Sequence, residues 1–154
     1  DPDLRLNVSE TQIDGAAIAR FKQSLIDTIN HSDALLQSAL GRLVTQTKPS
    51  LEWLADEYHT DDNTLSISAQ FEAGVELQRN PYIRLAWTAA EQNIFLFVAG
   101  EKLVVDPSYK AVVDILTGSS AIKGEQWRLL QQHEGAERVL SSLVEHGAWY
   151  WLSR

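Results

Sequence analysis

The chain has 154 residues, 44% of them apolar, and is therefore long enough to bury one hydrophobic core or two small ones. It contains no cysteine, which excludes disulfides and thiolate metal sites and fits the reducing cytoplasm. The 13 Lys and Arg residues are outnumbered by 21 Asp and Glu, and the net charge of -8 disfavours a nonspecific nucleic-acid surface. A basic protein or a second copy of the chain is the expected partner.

From the first residues of the chain we expect another domain to precede it. The sequence contains no methionine, so we expect the chain to be a piece of a longer polypeptide. Its opening segment, Asp1 to Leu6, contains Pro2 and is more typical of an exit from another domain than of the start of a helix or strand. No apolar run approaches the roughly 20 residues that span a bilayer, so we expect no membrane partner.

Two amphipathic helices are predicted next. The first spans about residues 12 to 30, where an apolar residue recurs every four positions and polar residues occupy the other side. Ser32 is expected to cap a second helix that ends at Lys48-Pro49. The short joint between them predicts an antiparallel helical hairpin. Two helices alone cannot bury both apolar stripes, so the rest of the chain, another domain or a second copy must cover them.

A change of composition separates this hairpin from a second unit. Residues 49 to 64 contain Pro49 and the acidic polar run from Asp56 to Asn63, and are predicted to be a linker. A short helix around Leu65 to Ala73 is then expected to end at Gly74.

A β-hairpin is predicted in the middle of the second unit. Alternating apolar residues indicate a strand that begins near Pro81. Residues 93 to 98 and 102 to 105 are expected to pair with each other and to turn at Gly100.

Helices and an aromatic strand complete the predicted unit. Asp106-Pro107 combines a capping residue with a proline at the first helical position, and predicts a helix that runs to Gly118. Further helices are predicted over about 125 to 132 and 136 to 146, followed by a strand over 148 to 152.

The order of elements predicts an α+β fold, in which a helical hairpin precedes a small winged-helix-like domain over residues 65 to 154. That domain contains the β-hairpin and the aromatic C-terminal strand. Its core candidates are Trp87, Phe95, Phe97, Leu140, Leu143, Trp149 and Trp151.

The pair His59-x-Asp61 has the spacing of two facial ligands in mononuclear iron oxygenases. A working site also needs a stiff strand beneath the pair and a third histidine on a neighbouring strand. The pair instead lies in a polar segment, and the later histidines, His133 and His146, fall on predicted helices. We therefore interpret His59 as a linker residue and Asp61 as a helix cap, and predict no catalytic or metal-binding residue in this chain.

The aromatic run Trp149-Tyr150-Trp151 has the composition of a base-stacking platform. Such platforms lie in basic grooves, whereas residues 61 to 154 carry more acidic than basic side chains. The two tryptophans are therefore predicted to close the core, and the winged-helix shape to serve protein contact.

Several features, taken in order, carry a family resemblance. They are the exit segment Asp1-Pro2-Asp3, the helical hairpin, the acidic linker, the hairpin tip Gly100-Glu101-Lys102, and the ending Leu140-x-x-Leu143-Val144-x-x-Gly147-x-Trp149-Tyr150-Trp151. In this order and spacing the chain resembles the C-terminal half of bacterial ribosomal oxygenases of the YcfD/RoxA type, which are JmjC-related cupin proteins.

The resemblance implies a function for the chain. Proteins of that family join a barrel that holds Fe(II) and 2-oxoglutarate to a helical dimerisation region, residues 1 to 48 here, and a winged-helix-like domain. They hydroxylate an arginine of a basic large-subunit ribosomal protein. This chain would then be a non-catalytic dimerisation and substrate-positioning module of a cytoplasmic homodimer, without a cofactor of its own. The dimer-interface candidates are Phe21, Leu25, Ile29, Leu36, Leu40 and Leu43.

Two other interpretations stay open. In the first, the chain is a stand-alone winged-helix regulator that binds nucleic acid. The net charge of the chain disfavours this interpretation. In the second it is a minimal iron enzyme built on His59 and Asp61, which the setting of that pair disfavours.

Overall fold

The structure is a computed structural model that describes residues 15 to 58 and 66 to 152. The chain divides into two compact units, one ending at Gln37 and the other beginning at Ser38. His59 and Asp61 lie outside the described residues.

Helices come first along the described chain, and short strands and further helices follow. The α-helices are α1 (Gly15–His31), α2 (Asp33–Thr45), α3 (Glu52–Asp56), α4 (Ile67–Glu72), α5 (Lys110–Gly118), α6 (Gly124–Leu130) and α7 (Ala136–Glu145). The strands are β1 (Leu77–Arg79), β2 (Leu85–Ala89), β3 (Ile94–Val98), β4 (Glu101–Val105), β5 (Ala121–Ile122) and β6 (Trp149–Trp151). These elements confirm the predicted α+β fold class.

In the first unit, α1 is followed at once by the start of α2. Ser32 alone separates the two helices, and its carbonyl oxygen accepts hydrogen bonds from the backbone N–H groups of Leu35 and Leu36 at 3.1 and 3.2 Å. Both predicted helices are therefore present, while their antiparallel pairing stays a prediction.

The segment predicted to be a linker is helical in its described part. A 3₁₀ helix, Pro49–Leu51, leads directly into α3. Pro49 suits the first position of that helix because its missing N–H would have no partner there. Ala55 of α3 is buried in the hydrophobic core of the second unit. The domain boundaries at residues 48 and 64 stay predictions.

Two antiparallel sheets organise the second unit. One has the strand order β2-β3-β4, with Leu96 opposite Leu103 and Phe97 opposite Lys102. Ala99 and Gly100 connect β3 to β4 with φ values of 50° and 84°, the left-handed pair that a tight two-residue hairpin requires. The predicted hairpin and its turn at Gly100 are therefore present.

The other sheet has the order β5-β1-β6, and its strands β1 and β5 were not predicted from the sequence. Leu77 of β1 lies opposite Ile122 on one side and Trp151 on the other. Strands of two and three residues are too short to show a period of two, so their pairing depends on the tertiary fold. Through this sheet the predicted C-terminal aromatic strand becomes an edge strand beside β1.

The helix start at Asp106 follows the predicted capping chemistry. Its Oδ1 accepts hydrogen bonds from the hydroxyl and the backbone N–H of Ser108, at 2.6 and 2.8 Å. Both bonds lower the pKa of the Asp106 carboxyl below its usual value, and the bond from the Ser108 hydroxyl has the larger effect. A 3₁₀ helix, Pro107–Tyr109, then leads into α5.

One hydrophobic core joins both sheets with the helices of the second unit. Phe71 of α4 stacks on Trp127 of α6 at 5.1 Å between ring centroids, and meets Trp151 edge-on at 5.0 Å. Of the seven core candidates, Trp87 and Phe95 are half-buried. The buried ones are Phe97, Leu140, Leu143, Trp149 and Trp151.

The second half of α2 is fixed to the β2-β3-β4 sheet by small and polar residues. Gly41 lies so close to the ring of Phe97 that a Cβ atom at this position would overlap it. Thr45 donates its hydroxyl to the Gly41 carbonyl at 2.8 Å and accepts the backbone N–H of Gly100 at 3.1 Å. Lys102 donates to Ser38 Oγ at 3.1 Å. Ser38, Gly41 and Thr45 therefore form the face of α2 that contacts the sheet.

Replacing Gly41 by alanine is expected to lower the free energy of unfolding by about 1 to 3 kcal/mol, because the new methyl group would collide with Phe97. Gly118→Ala is the matched control, since an added Cβ at Gly118 meets no atom within 4 Å. Alanine is the better helix former by up to about 1 kcal/mol, so a net loss at position 41 can come only from the contact. Urea unfolding followed by tryptophan fluorescence measures both variants, and equal stabilities would contradict this packing.

Candidate interaction surfaces

The leucine face of α2 is uncovered in the second unit. Successive residues of an α-helix are about 100° apart, so Leu40 and Leu43 lie on the side opposite Thr45. Leu40 is 62% exposed and Leu43 is 69% exposed, and Val44 beside them is also exposed. We call Leu40, Leu43 and Val44 the α2 ridge. The sheet is contacted by the polar and small side of this helix, and the apolar ridge is left facing outwards.

A second apolar face lies on α1 in the first unit. Phe21, Leu25 and Ile29 recur at four-residue spacing and therefore share one side of the helix. All three are exposed, and so is Leu36 at the start of α2. Every residue predicted for the dimer interface is therefore an exposed apolar side chain in its own unit.

Carboxylates outnumber the one exposed arginine, Arg138, on the surface around α7, which we call the acidic surface. Glu134, Glu137 and Glu145 are exposed. His146 Nε2 lies 3.2 Å from a carboxylate oxygen of Glu101 at the hairpin tip, and its Nδ1 lies 2.6 Å from the Ser142 carbonyl oxygen. The second contact places the His146 ring at the C-terminal end of α7, where the last carbonyl groups of a helix favour such a partner.

Asn80 is a structural residue that the sequence analysis missed. Its buried side chain donates from Nδ2 to the carbonyl oxygens of Ala55 and Gly147, each at 3.0 Å, and accepts the Tyr82 N–H at 3.0 Å. One amide thereby joins α3, the turn after β1 and the chain just before β6. The Asn80-Pro81 dipeptide was the available signal, because Asn-Pro favours the start of a turn.

Three tyrosines meet beside Asn80. The ring centroid of Tyr58 lies 5.9 Å from that of Tyr82 and 4.8 Å from that of Tyr150. Tyr150 donates its hydroxyl to Gln78 Oε1 at 3.1 Å. Burial, and secondarily the neighbouring Tyr58 hydroxyl, raise the pKa of Tyr150. The chain is thus held to the second unit as far as Tyr58.

The described residues do not fit an iron centre. Over residues 15 to 58 and 66 to 152, no group of three or more His, Asp or Glu side chains could hold a metal ion. His133 is exposed, and both ring nitrogens of His146 already face protein oxygens. Within those same ranges, no helix has the length and apolarity to cross a membrane.

A family model described as ROXA-like winged helix matches residues 25 to 150. The chain therefore belongs to the ROXA-like winged helix family, and the family resemblance predicted from the sequence is confirmed. A comparison with curated proteins gave no match.

Solved structures of YcfD from Escherichia coli share the fold. The ribosomal oxygenase YcfD is 16% identical with a TM-score of 0.58, and the match covers 99% of this chain and 40% of that one. YcfD in complex with cobalt and 2-oxoglutarate is 18% identical with a TM-score of 0.56, again over 99% and 40%. YcfD with cobalt and succinic acid is 18% identical with a TM-score of 0.55 over the same shares. This chain thus spans 40% of the length of these relatives.

We expect the chain to show no tight, stoichiometric binding of Fe(II), because the described residues offer no set of three ligands. Anaerobic calorimetric titration with Fe(II) measures this, with a His59→Ala variant as the control. A one-to-one signal in the unaltered chain that His59→Ala abolishes would instead support an iron enzyme built on His59 and Asp61.

Proposed function

We propose that the chain is a non-catalytic dimerisation and substrate-positioning module of a longer Fe(II)- and 2-oxoglutarate-dependent oxygenase that hydroxylates an arginine of a ribosomal protein. Membership of the ROXA-like winged helix family supports this, as does the likeness of nearly the whole chain to 40% of YcfD. YcfD binds cobalt and 2-oxoglutarate. We assign the metal and the 2-oxoglutarate of the longer protein to a part that lies outside this chain. The longer protein would act in the cytoplasm on a ribosomal substrate.

The observation that carries the dimerisation role is the α2 ridge. Gly41 and Thr45 hold the opposite side of the helix against the sheet, so α2 cannot turn its leucines inwards without losing those contacts. An apolar face that is rigidly held and exposed is what a self-complementary interface requires. Full burial of a leucine side chain contributes about 1.5 to 3 kcal/mol, and in a twofold dimer each leucine counts twice.

The α1 face supports the same role in the first unit. Phe21, Leu25 and Ile29 are exposed along one side of a 17-residue helix. Most of the stability of a helix in a protein comes from the packing of its apolar face, so this face is expected to pack on another surface. A second copy of the chain would provide that surface for the α1 face as well as for the α2 ridge.

Leu40→Asp is expected to weaken dimerisation by about 2 kcal/mol or more, roughly 30-fold in Kd, because it places a carboxylate in an apolar interface. Since Leu40 is 62% exposed, the folded monomer should keep its Tm. Leu129→Asp is the matched control, because Leu129 of α6 is 67% exposed and lies outside both apolar faces. Sedimentation equilibrium at micromolar concentrations measures the association. A folded but monomeric unaltered chain, or equal effects of the two variants, would refute the interface.

The acidic surface around α7 supports a role in substrate positioning. Ribosomal proteins are basic, and exposed carboxylates of one sign attract such a partner over about a Debye length, 8 to 10 Å at physiological salt. Glu134, Glu137 and Glu145 are exposed, and no ion pair of theirs is present within the described residues. They are therefore free to raise the rate at which a basic protein reaches the longer enzyme.

Reversing these three charges to lysine in the longer enzyme is expected to lower kcat/KM for the ribosomal protein about tenfold at low salt, and to weaken the dependence of kcat/KM on salt. The control reverses Glu52, Glu72 and Glu91, which are also exposed and change the net charge by the same amount. Initial rates over a series of salt concentrations provide the measurement. If both triple variants lost the same rate, the loss would be an effect of net charge alone, and the proposed role in substrate positioning would be wrong.

A further inference from the structure

A shallow groove runs between the end of β1, the start of β2 and the C-terminal end of α2. It has a volume of about 520 Å³, and we call it the arginine groove. Val44, Pro81, Ile83 and Leu85 supply the apolar part of its wall, and Arg79 and Arg84 also line it. Among the described residues that line it there is no Asp or Glu, although the whole chain has a net charge of -8.

Arg79 is a fixed, partly buried cation. Its Nη1 donates to the carbonyl oxygen of Thr117 at 2.6 Å, close to the C-terminal end of α5, where a helix favours positive charge. Burial alone lowers the pKa of Arg79, since no carboxylate offsets the cost of desolvating the guanidinium. Four of its five N–H donors are not used by that bond. An anion in the groove would supply the missing counter-charge.

Arg84 is a second arginine that lines the same groove. Its side chain is exposed, while its backbone carbonyl accepts the N–H of Ala99 at 3.4 Å and ties the residue to the hairpin. Neither Arg84 nor Arg79 makes an ion pair within the described parts of the chain. A planar guanidinium matches a carboxylate through two parallel hydrogen bonds, which makes arginine better suited than lysine to this ligand.

We propose that the arginine groove is a docking site for an acidic, extended segment of a partner protein, with carboxylates on Arg79 and Arg84 and an apolar side chain against Pro81 and Leu85. Charge complementarity selects this occupant, because the groove is positive within an acidic protein. Nucleic acid fits less well: it repeats a phosphate at every nucleotide, and the surface beyond the groove would repel those charges. Val44 belongs to both the groove and the α2 ridge, but the proposed contacts are made by Arg79, Arg84, Pro81 and Leu85, which lie outside the ridge. The inference therefore rests neither on dimerisation nor on the longer enzyme.

The test uses a fluorescein-labelled hexapeptide, Glu-Leu-Glu-Glu-Leu-Glu, with blocked ends. Anisotropy should show saturable binding below about 1 mM at low salt, weakened by added salt. Arg84→Glu should weaken binding at least about tenfold, and Arg84→Lys by less, because lysine keeps the charge but loses the bidentate geometry. Arg128→Glu is the matched control, since Arg128 of α6 is exposed and does not line the groove.

Three outcomes would overturn the proposal. They are no saturable binding up to millimolar peptide, equal losses in Arg84→Glu and Arg128→Glu, and tighter binding of a single-stranded 12-nucleotide RNA that Arg84→Glu abolishes. Unchanged Tm values for both variants establish that a loss comes from the groove. A peptide with serine in place of both leucines should bind more weakly than the original if the apolar wall contributes to binding.

Discussion

The approach of Gly41 to the Phe97 ring is the contact on which the rest of the second unit's surface depends. A side chain at position 41 would hold α2 away from the sheet, and the hydrogen bond between Thr45 and Gly100 would then be lost. Because the helix contacts the sheet through its smallest residues, its leucines are left on the outside. A single glycine thus decides which face of α2 is buried and which is available to a partner.

Most of the elements were predictable because their signals are local. The helix after Asp106 was indicated by a capping residue and a proline, and the hairpin by two apolar runs around Gly100. The side of α2 that contacts the sheet was not predictable, because hydrophobic periodicity gives weight to Leu40 and none to Gly41. Strands β1 and β5 were missed for a related reason, since two or three residues acquire strand geometry from the neighbours with which they pair.

The candidate surfaces differ in how far the sequence revealed them. Net charge and periodicity predicted an acidic surface and exposed apolar helices, since both are sums over many residues. The arginine groove was invisible, because Arg79 and Arg84 are separated by a turn whose geometry depends on the buried amide of Asn80. Convergence of side chains from β1, β2 and α2 is a property of the tertiary fold. Such sites are found only when the backbone is known.

A winged-helix fold does not by itself imply a nucleic-acid interface, and the hairpin of this chain argues against one. Lys102 is the only Lys or Arg in β2, β3 and β4. Its ammonium group donates to Ser38 Oγ at 3.1 Å and lies 4.5 Å from the centroid of the Phe95 ring. Contact with a phosphate would have to break the link to α2 that this lysine provides. The cation that a nucleic acid would need on the hairpin is therefore already used to hold α2 against the sheet. In this position of α2, the α2 ridge is exposed.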